Sequence, residues 1–224
     1  MEAQMIIKHM EQGSLEWHEA RRGRPTASAF KRFIVPSTGE LSMNAKKTGP
    51  SDKTLAYIME LIDQLGRPEK SMVGDSYISP QMVNGISMEP RARSWYEFQQ
   101  NVTVQQVGIV LTDNGRFGAS PDFMVDPDGA GELKCPDGPT HLYWQYEGVL
   151  PDEHKIQVHS QLAVIECKYV DFMSYCPPYD SLLIRVFPDA YTDKIKESMA
   201  KFWTFYALIY SKLLPSKGPL KLPV

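Results

Sequence analysis

A chain of 224 residues is long enough for one compact unit with a core that needs no staples. Its 42% hydrophobic and 23% charged content is ordinary, no apolar run nears the roughly 18 residues of a membrane span, and the start lacks a signal-peptide pattern, so membrane and secreted classes are excluded and a cytoplasmic protein is expected. The net charge of −3 argues against a uniformly basic nucleic-acid binder, although Arg21, Arg22, Arg24, Lys31 and Arg32 cluster early and Lys46, Lys47 and Lys53 follow.

Along the chain, Met1–Gly13 is expected to pair or fray, and Ser14–Ala20 reads as a short helix anchored by Trp17. Thr26 or Ser28 can cap a second helix through Phe33. Val35–Pro50 has no periodicity and reads as a loop; Ser51 opens a helix that Gly66 ends. Ser79–Gln100 is helical in pattern, with Pro90 marking a kink or break just after Glu89. Val102–Thr112 and Phe117–Val125 read as strands, 126–131 as a turn, and Glu132–Cys135 as the returning strand. A helix over His154–Glu166, strands at Tyr169–Cys176 and Leu182–Phe187, and a long helix over Asp189–Leu213 complete the pattern. This order predicts an α/β fold with a mixed central sheet flanked by helices, and one parallel pairing across the segment from Lys134 to Tyr169.

The chemistry concentrates in Ser120-Pro121-Asp122 and Glu132-Leu133-Lys134. Strand side chains alternate, so Glu132 and Lys134 share a face and Leu133 takes the other. A hairpin that folds Asp122 back beside Glu132 gives two acids and an amine at one point. Glu89, on the preceding helix, is a third acid. Oxygen ligands suit hard cations such as magnesium. Lys134 beside such an ion can orient or deprotonate a water, or offset charge in the transition state. The cysteines Cys135, Cys167 and Cys176 form no CxxC pair, which argues for reduced thiols and against a zinc site.

Four segments in order make the chain resemble the lambda exonuclease family (YqaJ-type viral recombinases), within the PD-(D/E)xK nuclease superfamily. They are Trp17-His18-Glu19-Ala20-Arg21 with Thr26-Ala27-Ser28; Gly85-Ile86-Ser87-Met88-Glu89-Pro90-Arg91-Ala92, ending at Tyr96; Ser120 through Pro136; and Gln157-Val158-His159-Ser160-Gln161-Leu162. The resemblance implies a restriction-endonuclease-like core over residues 1–214, with 215–224 as a tail. It implies that Glu89, Asp122, Glu132 and the backbone carbonyl of Leu133 hold magnesium, with manganese as a substitute. Lys134 becomes the catalytic lysine, and Gln157 joins the site from the following helix. Arg21, Ser28 and Ser120 match positions around a terminal 5′-phosphate; by residue type alone, Arg21 is a surface charge and Ser28 a helix cap.

The implied activity is that of a phage-type 5′→3′ exonuclease on double-stranded DNA, which releases mononucleotides and leaves a 3′ single strand. A ring-shaped homotrimer and a single-strand annealing recombinase as partner are implied likewise. Two other readings stay open from the residues: an endonuclease or repair nuclease of the same superfamily, and a nuclease-like fold that only binds DNA.

Overall fold

A computed structural model of the chain describes residues 5–46, 48–67, 80–125 and 128–222, with the side chains of 80–84 and 86 left out. Lys47 and the Asp126-Pro127 part of the expected turn lie outside the described residues. The described strands form two sheets. Strand β1 (Ile6–Lys8) pairs antiparallel with β2 (Ile109–Leu111), which pairs antiparallel with β3 (Gly118–Ala119). The second sheet has the order β4 (Phe123–Val125), β5 (Gly129–Lys134), β6 (Tyr169–Ser174), β7 (Leu182–Val186). Its β5–β6 pairing is parallel, as the crossover length predicts, and its other pairings are antiparallel.

Several helices begin where short polar side chains can satisfy free backbone N–H groups. Ser14 accepts from the Trp17 N–H and starts α1 (Leu15–Arg21); Ser51 accepts from Thr54 and starts α2 (Asp52–Gly66). Asp189 and Thr192 form a reciprocal capping box at the start of α6 (Ala190–Leu213). The expected second helix is instead a 3₁₀ turn, Ala27–Arg32, and Thr26 gives no side-chain cap because its hydroxyl accepts from Arg21. Helix α3 (Pro80–Gln100) continues through Pro90, so of the kink or break expected after Glu89 the break does not occur.

Two strand expectations need correction. Phe117–Val125 is not one strand: Ser120-Pro121-Asp122 separates β3, in the first sheet, from β4, in the second. Pro121 has no N–H to give a ladder, and the chain changes sheets there. Val102–Thr112 is likewise interrupted. Gln105 exchanges backbone hydrogen bonds with Met124 of β4 before Ile109–Leu111 joins the other sheet. The crossover between β5 and β6 also holds two helices rather than one, α4 (Gly138–Glu147) and α5 (Asp152–Ile165).

The four-stranded sheet lies between two apolar layers. On one face Phe123, Val125, Leu133 and Met173 pack with Ala92 and Tyr96 of α3. On the other, Met124, Ala130, Val170 and Phe172 belong to the larger core with α5, α6, α2 and the 3₁₀ turn. After α6, Pro215–Lys217 forms a short turn, and Leu220 packs back against that larger core. Among the described residues no helix is long and apolar enough to cross a membrane.

Candidate active site

The β4–β5 register pairs Phe123 with Gly131, and the Asp122 N–H donates to the Gly131 carbonyl at 3.0 Å. Asp122 therefore enters β4 beside Gly131, the residue before Glu132. Glu132 and Lys134 share the α5 face of β5, since Leu133 between them packs toward α3. Asp122 Oδ2 accepts the Leu133 N–H at 2.5 Å. A strand residue turns its N–H and C=O to the same side, so the Leu133 carbonyl also faces the Asp122 edge.

Glu132 is 2% exposed and is held at both oxygens. Gln157 Nε2 donates to Oε1 at 2.6 Å, Gln161 Nε2 donates to Oε2 at 2.5 Å, and the Lys134 ammonium donates to Oε1. The two glutamines are four residues apart on one face of α5, which is why both reach one carboxylate. Gln157 thus reaches Glu132 from α5. Gln161, read from the sequence only as its neighbour, is an equal partner. Its own Oε1 is buried and has no hydrogen-bond partner among the described residues.

The charges strain one another. Burial pushes the Asp122 carboxyl up to about 8; the nearby Glu132 charge adds to this, while Lys134 and the Leu133 N–H oppose it. Burial alone would lower Lys134, but Glu132 and Asp122 outweigh it and hold the ammonium above its ordinary value. Glu89 is raised by burial, with Arg93 and Lys134 opposing and Glu132 contributing. It therefore shares the field of the two strand acids. Glu89 comes from α3, whose Ala92 and Tyr96 pack against Leu133. Among the described residues no group of three His, Cys, Asp or Glu is gathered closely enough to hold a metal ion.

A second cluster adjoins the first through Ser120, two residues before Asp122. Arg21 Nη1 donates to Ser120 Oγ at 3.3 Å, and Nη2 donates to Thr26 Oγ1 at 3.0 Å and Ser28 Oγ at 3.4 Å. The guanidinium lies 4.1 Å from the centre of the Trp17 ring, and Trp17 Nε1 donates to Ser120 Oγ at 3.0 Å. Burial lowers Arg21 to about 10, and among the described residues it makes no ion pair with a carboxylate. The structure thus brings together Arg21, Ser28 and Ser120. It adds Trp17 and Thr26, which the sequence reading took as an apolar anchor and a cap.

The rest of the early basic cluster does not form one positive face. Arg22 pairs with Glu19 at 2.6 Å, Arg32 with Glu60, and Arg24 is buried with its guanidinium on the carbonyls of Gly115 and Ala20. Lys46 is exposed in the loop.

The YqaJ-like viral recombinase domain model matches residues 16–168. Among solved structures, an alkaline exonuclease (LHK-Exo) from Laribacter hongkongensis is similar at 26% identity and a TM-score of 0.71, covering 91% of this chain and 98% of its own. The same enzyme in complex with dAMP gives 25% identity and the same TM-score. A phage-related exonuclease from Haemophilus somnus 129PT shares the fold at 15% identity and a TM-score of 0.60, covering 85% of this chain and 96% of its own. Comparison with curated proteins finds no match.

Proposed function

Because the chain belongs to the YqaJ-like viral recombinase family, we propose that it is a magnesium-dependent exonuclease that degrades the 5′-phosphorylated strand of duplex DNA in the 5′→3′ direction. Mononucleotides would be released and a 3′ single strand left for a strand-annealing recombinase. The observation that carries this reading is the Arg21 cluster. A guanidinium without a carboxylate partner among the described residues, ringed by three hydroxyls, suits a terminal phosphate, and its Ser120 is two residues from Asp122. A solved exonuclease of similar fold and length, crystallised with dAMP, agrees with mononucleotide release.

The donor set fits a hard divalent cation. Asp122, just before β4, lies in the field of Glu132 on β5, and magnesium needs only one or two carboxylates beside water and phosphate oxygens. Buried Asp122 is strained as an anion, a cost that a cation beside it would offset. Asp122, Glu132 and the Leu133 carbonyl would hold the ion, with Glu89 reaching it from α3, and manganese would substitute. A bound ion would neutralise charge on the scissile phosphate and acidify a water.

The chain's own groups do the rest. Gln157 and Gln161 fix the Glu132 carboxylate, so its direction does not change as substrate arrives. Lys134, whose ammonium donates to Glu132, is placed to offset charge at the phosphate or to orient the attacking water. Arg21, Ser28, Thr26 and Ser120 bind the terminal phosphate and set which bond lies over the acids. A homotrimeric ring would keep the duplex in place between cuts.

The test is digestion of linear duplex labelled at each end, with and without a 5′-phosphate, in magnesium. Release from the phosphorylated 5′ end is the expected result, and Asp122→Ala and Glu132→Ala should abolish it. Equal cutting of circular and linear DNA would instead favour an endonuclease, and magnesium-dependent cleavage by either variant would remove the site assignment.

A further inference from the structure

A groove of about 410 Å³ opens on the α3 side of the molecule, lined by Pro90, Arg91, Ser94, Trp95 and Tyr175. Trp95 is 39% exposed, and Phe98, one turn along, is 75% exposed. The Trp95 ring centre lies 6.0 Å from Phe98 and 6.5 Å from Tyr175, so three aromatic rings form one surface. Single exposed aromatics are common, but a contiguous set beside a cation marks a binding surface. Trp95 is also held in place, since its indole N–H donates to Ser181 Oγ at 2.9 Å. Arg91 is exposed and, among the described residues, makes no ion pair; no carboxylate lines the groove.

The groove borders the acids. Pro90 directly follows Glu89, and the Tyr175 N–H donates to the Lys134 carbonyl at 2.8 Å. Thus both walls continue into residues of the candidate active site, one through the chain and one through a backbone hydrogen bond. We propose that this groove is a stacking site for unpaired nucleobases, with Trp95, Phe98 and Tyr175 as the platform and Arg91 on the phosphates. Every base offers a π-face, so such a platform accepts any sequence, while an arginine beside it tracks the backbone. Duplex bases are stacked on one another and offer no free face, so the ligand is single-stranded DNA. The purpose of the site rests on the nuclease reading above, as it would hold the strand that digestion leaves unpaired. Binding at the site does not depend on cleavage.

The experiment titrates a labelled oligothymidylate with the full chain in EDTA, followed by fluorescence anisotropy, so that no cutting occurs. Trp95→Ala should weaken binding about tenfold, the loss of one stacked base, while Trp95→Phe keeps most of it. Phe98→Ala, at a position three-quarters exposed, should weaken it several-fold without change in the thermal midpoint. Arg91→Ala should weaken it and flatten the dependence on salt by about one counterion. If Trp95→Ala does not fold, Phe98→Ala and Arg91→Ala decide. Titrations of Phe98→Ala and Arg91→Ala that match the wild type would overturn the proposal. So would a Phe98→Ala that binds the strand normally but changes the sedimentation of the chain, because the face then belongs to contact between copies. Failure of the nuclease reading shows separately, as linear duplex left intact by the wild-type chain in magnesium.

Discussion

Gln161 Nε2 sits 2.5 Å from Glu132 Oε2, and the two side chains are 1% and 2% exposed. A carboxylate inside the protein is thereby oriented by a neutral amide, on the opposite oxygen from Gln157 and Lys134. Replacing Gln161 by leucine removes one of the three bonds and leaves Oε2 buried without a donor. Groups that orient a metal-binding side chain typically contribute 10–100-fold to affinity or activity. Gln161→Leu is expected to weaken magnesium binding by about that factor, measured by calorimetry without DNA. Gln161→Glu should weaken it further or abolish folding, since two carboxylates would then face each other. Unchanged magnesium affinity in the leucine variant would show that Gln157 and Lys134 suffice.

Trp17 joins the two halves of the Arg21 cluster, because it lies under Arg21 and donates to Ser120. Arg21→Ala should lower digestion of 5′-phosphorylated duplex strongly and digestion of 5′-hydroxyl duplex little, so that the ratio of the two rates falls by about tenfold or more, as expected for a lost charge-assisted pair. Trp17→Phe keeps the ring and loses the N–H, and should reduce the same ratio by a smaller factor. End-labelled duplexes run side by side give both ratios. If both rates fell together in Arg21→Ala, Arg21 would act on folding or on all DNA contacts rather than on the end.

Much of this site was legible because its residue types and spacing lie within single segments. Asp122, Glu132 and Lys134 needed only strand alternation and a hairpin, while Gln157 entered through the family resemblance. What stayed hidden depended on long-range contacts. Trp17 reads as an apolar anchor until Ser120, 103 residues away, accepts from it. The break at Ser120-Pro121-Asp122 was signalled by Pro121, yet alternation on either side disguised it as one strand. Helix α4 carried its signals openly: Asp137 accepts from the Thr140 N–H, Pro139 occupies the first turn, and Gly148 ends the helix at φ +64°. The buried network of Tyr96, Asp171 and Arg185 could not be read from sequence. Tyr96 Oη donates to Asp171 Oδ2 at 2.6 Å and Arg185 donates to both Asp171 oxygens at 2.8 Å, which ties α3, and with it Glu89, to β6 and β7.

Gly131 is the tightest point of the hairpin that carries the acids. A Cβ placed there would lie 2.0–2.5 Å from three ring atoms of Phe123, its cross-strand partner, which is itself fully buried against Tyr96 at 4.4 Å between ring centres. The Phe123 ring has no open side to move into, so Gly131→Ala should destabilise the fold by about 1–3 kcal/mol, the range for overpacking. Urea unfolding should show a lower midpoint at unchanged slope. Gly131→Ala combined with Phe123→Leu should recover part of the loss, since the smaller side chain frees the space; no recovery would place the strain in the backbone instead.

Acid should unfold this protein partly through His154. Burial lowers its imidazole to about 4, with the charges of Lys134 and Lys31 acting in the same direction, and its ring packs 5.2 Å from Trp144 and 5.1 Å from Phe172. Among the described residues the acid paired with it is Glu153, 3.9 Å away and exposed, too well solvated to reverse this. Above the ordinary value of 6.5 both folded and unfolded chains hold this histidine neutral, and it adds no pH dependence. Below 6.5 the unfolded chain takes up a proton that the folded chain refuses, so stability falls as pH drops, until the folded imidazole also titrates near 4. His154→Phe keeps the ring contacts and removes the titration. Its thermal midpoint should therefore fall less than that of the wild type between pH 6.5 and 4, while the two run parallel above pH 7. Parallel curves across the whole range would show that the carboxylates alone set the acid limit.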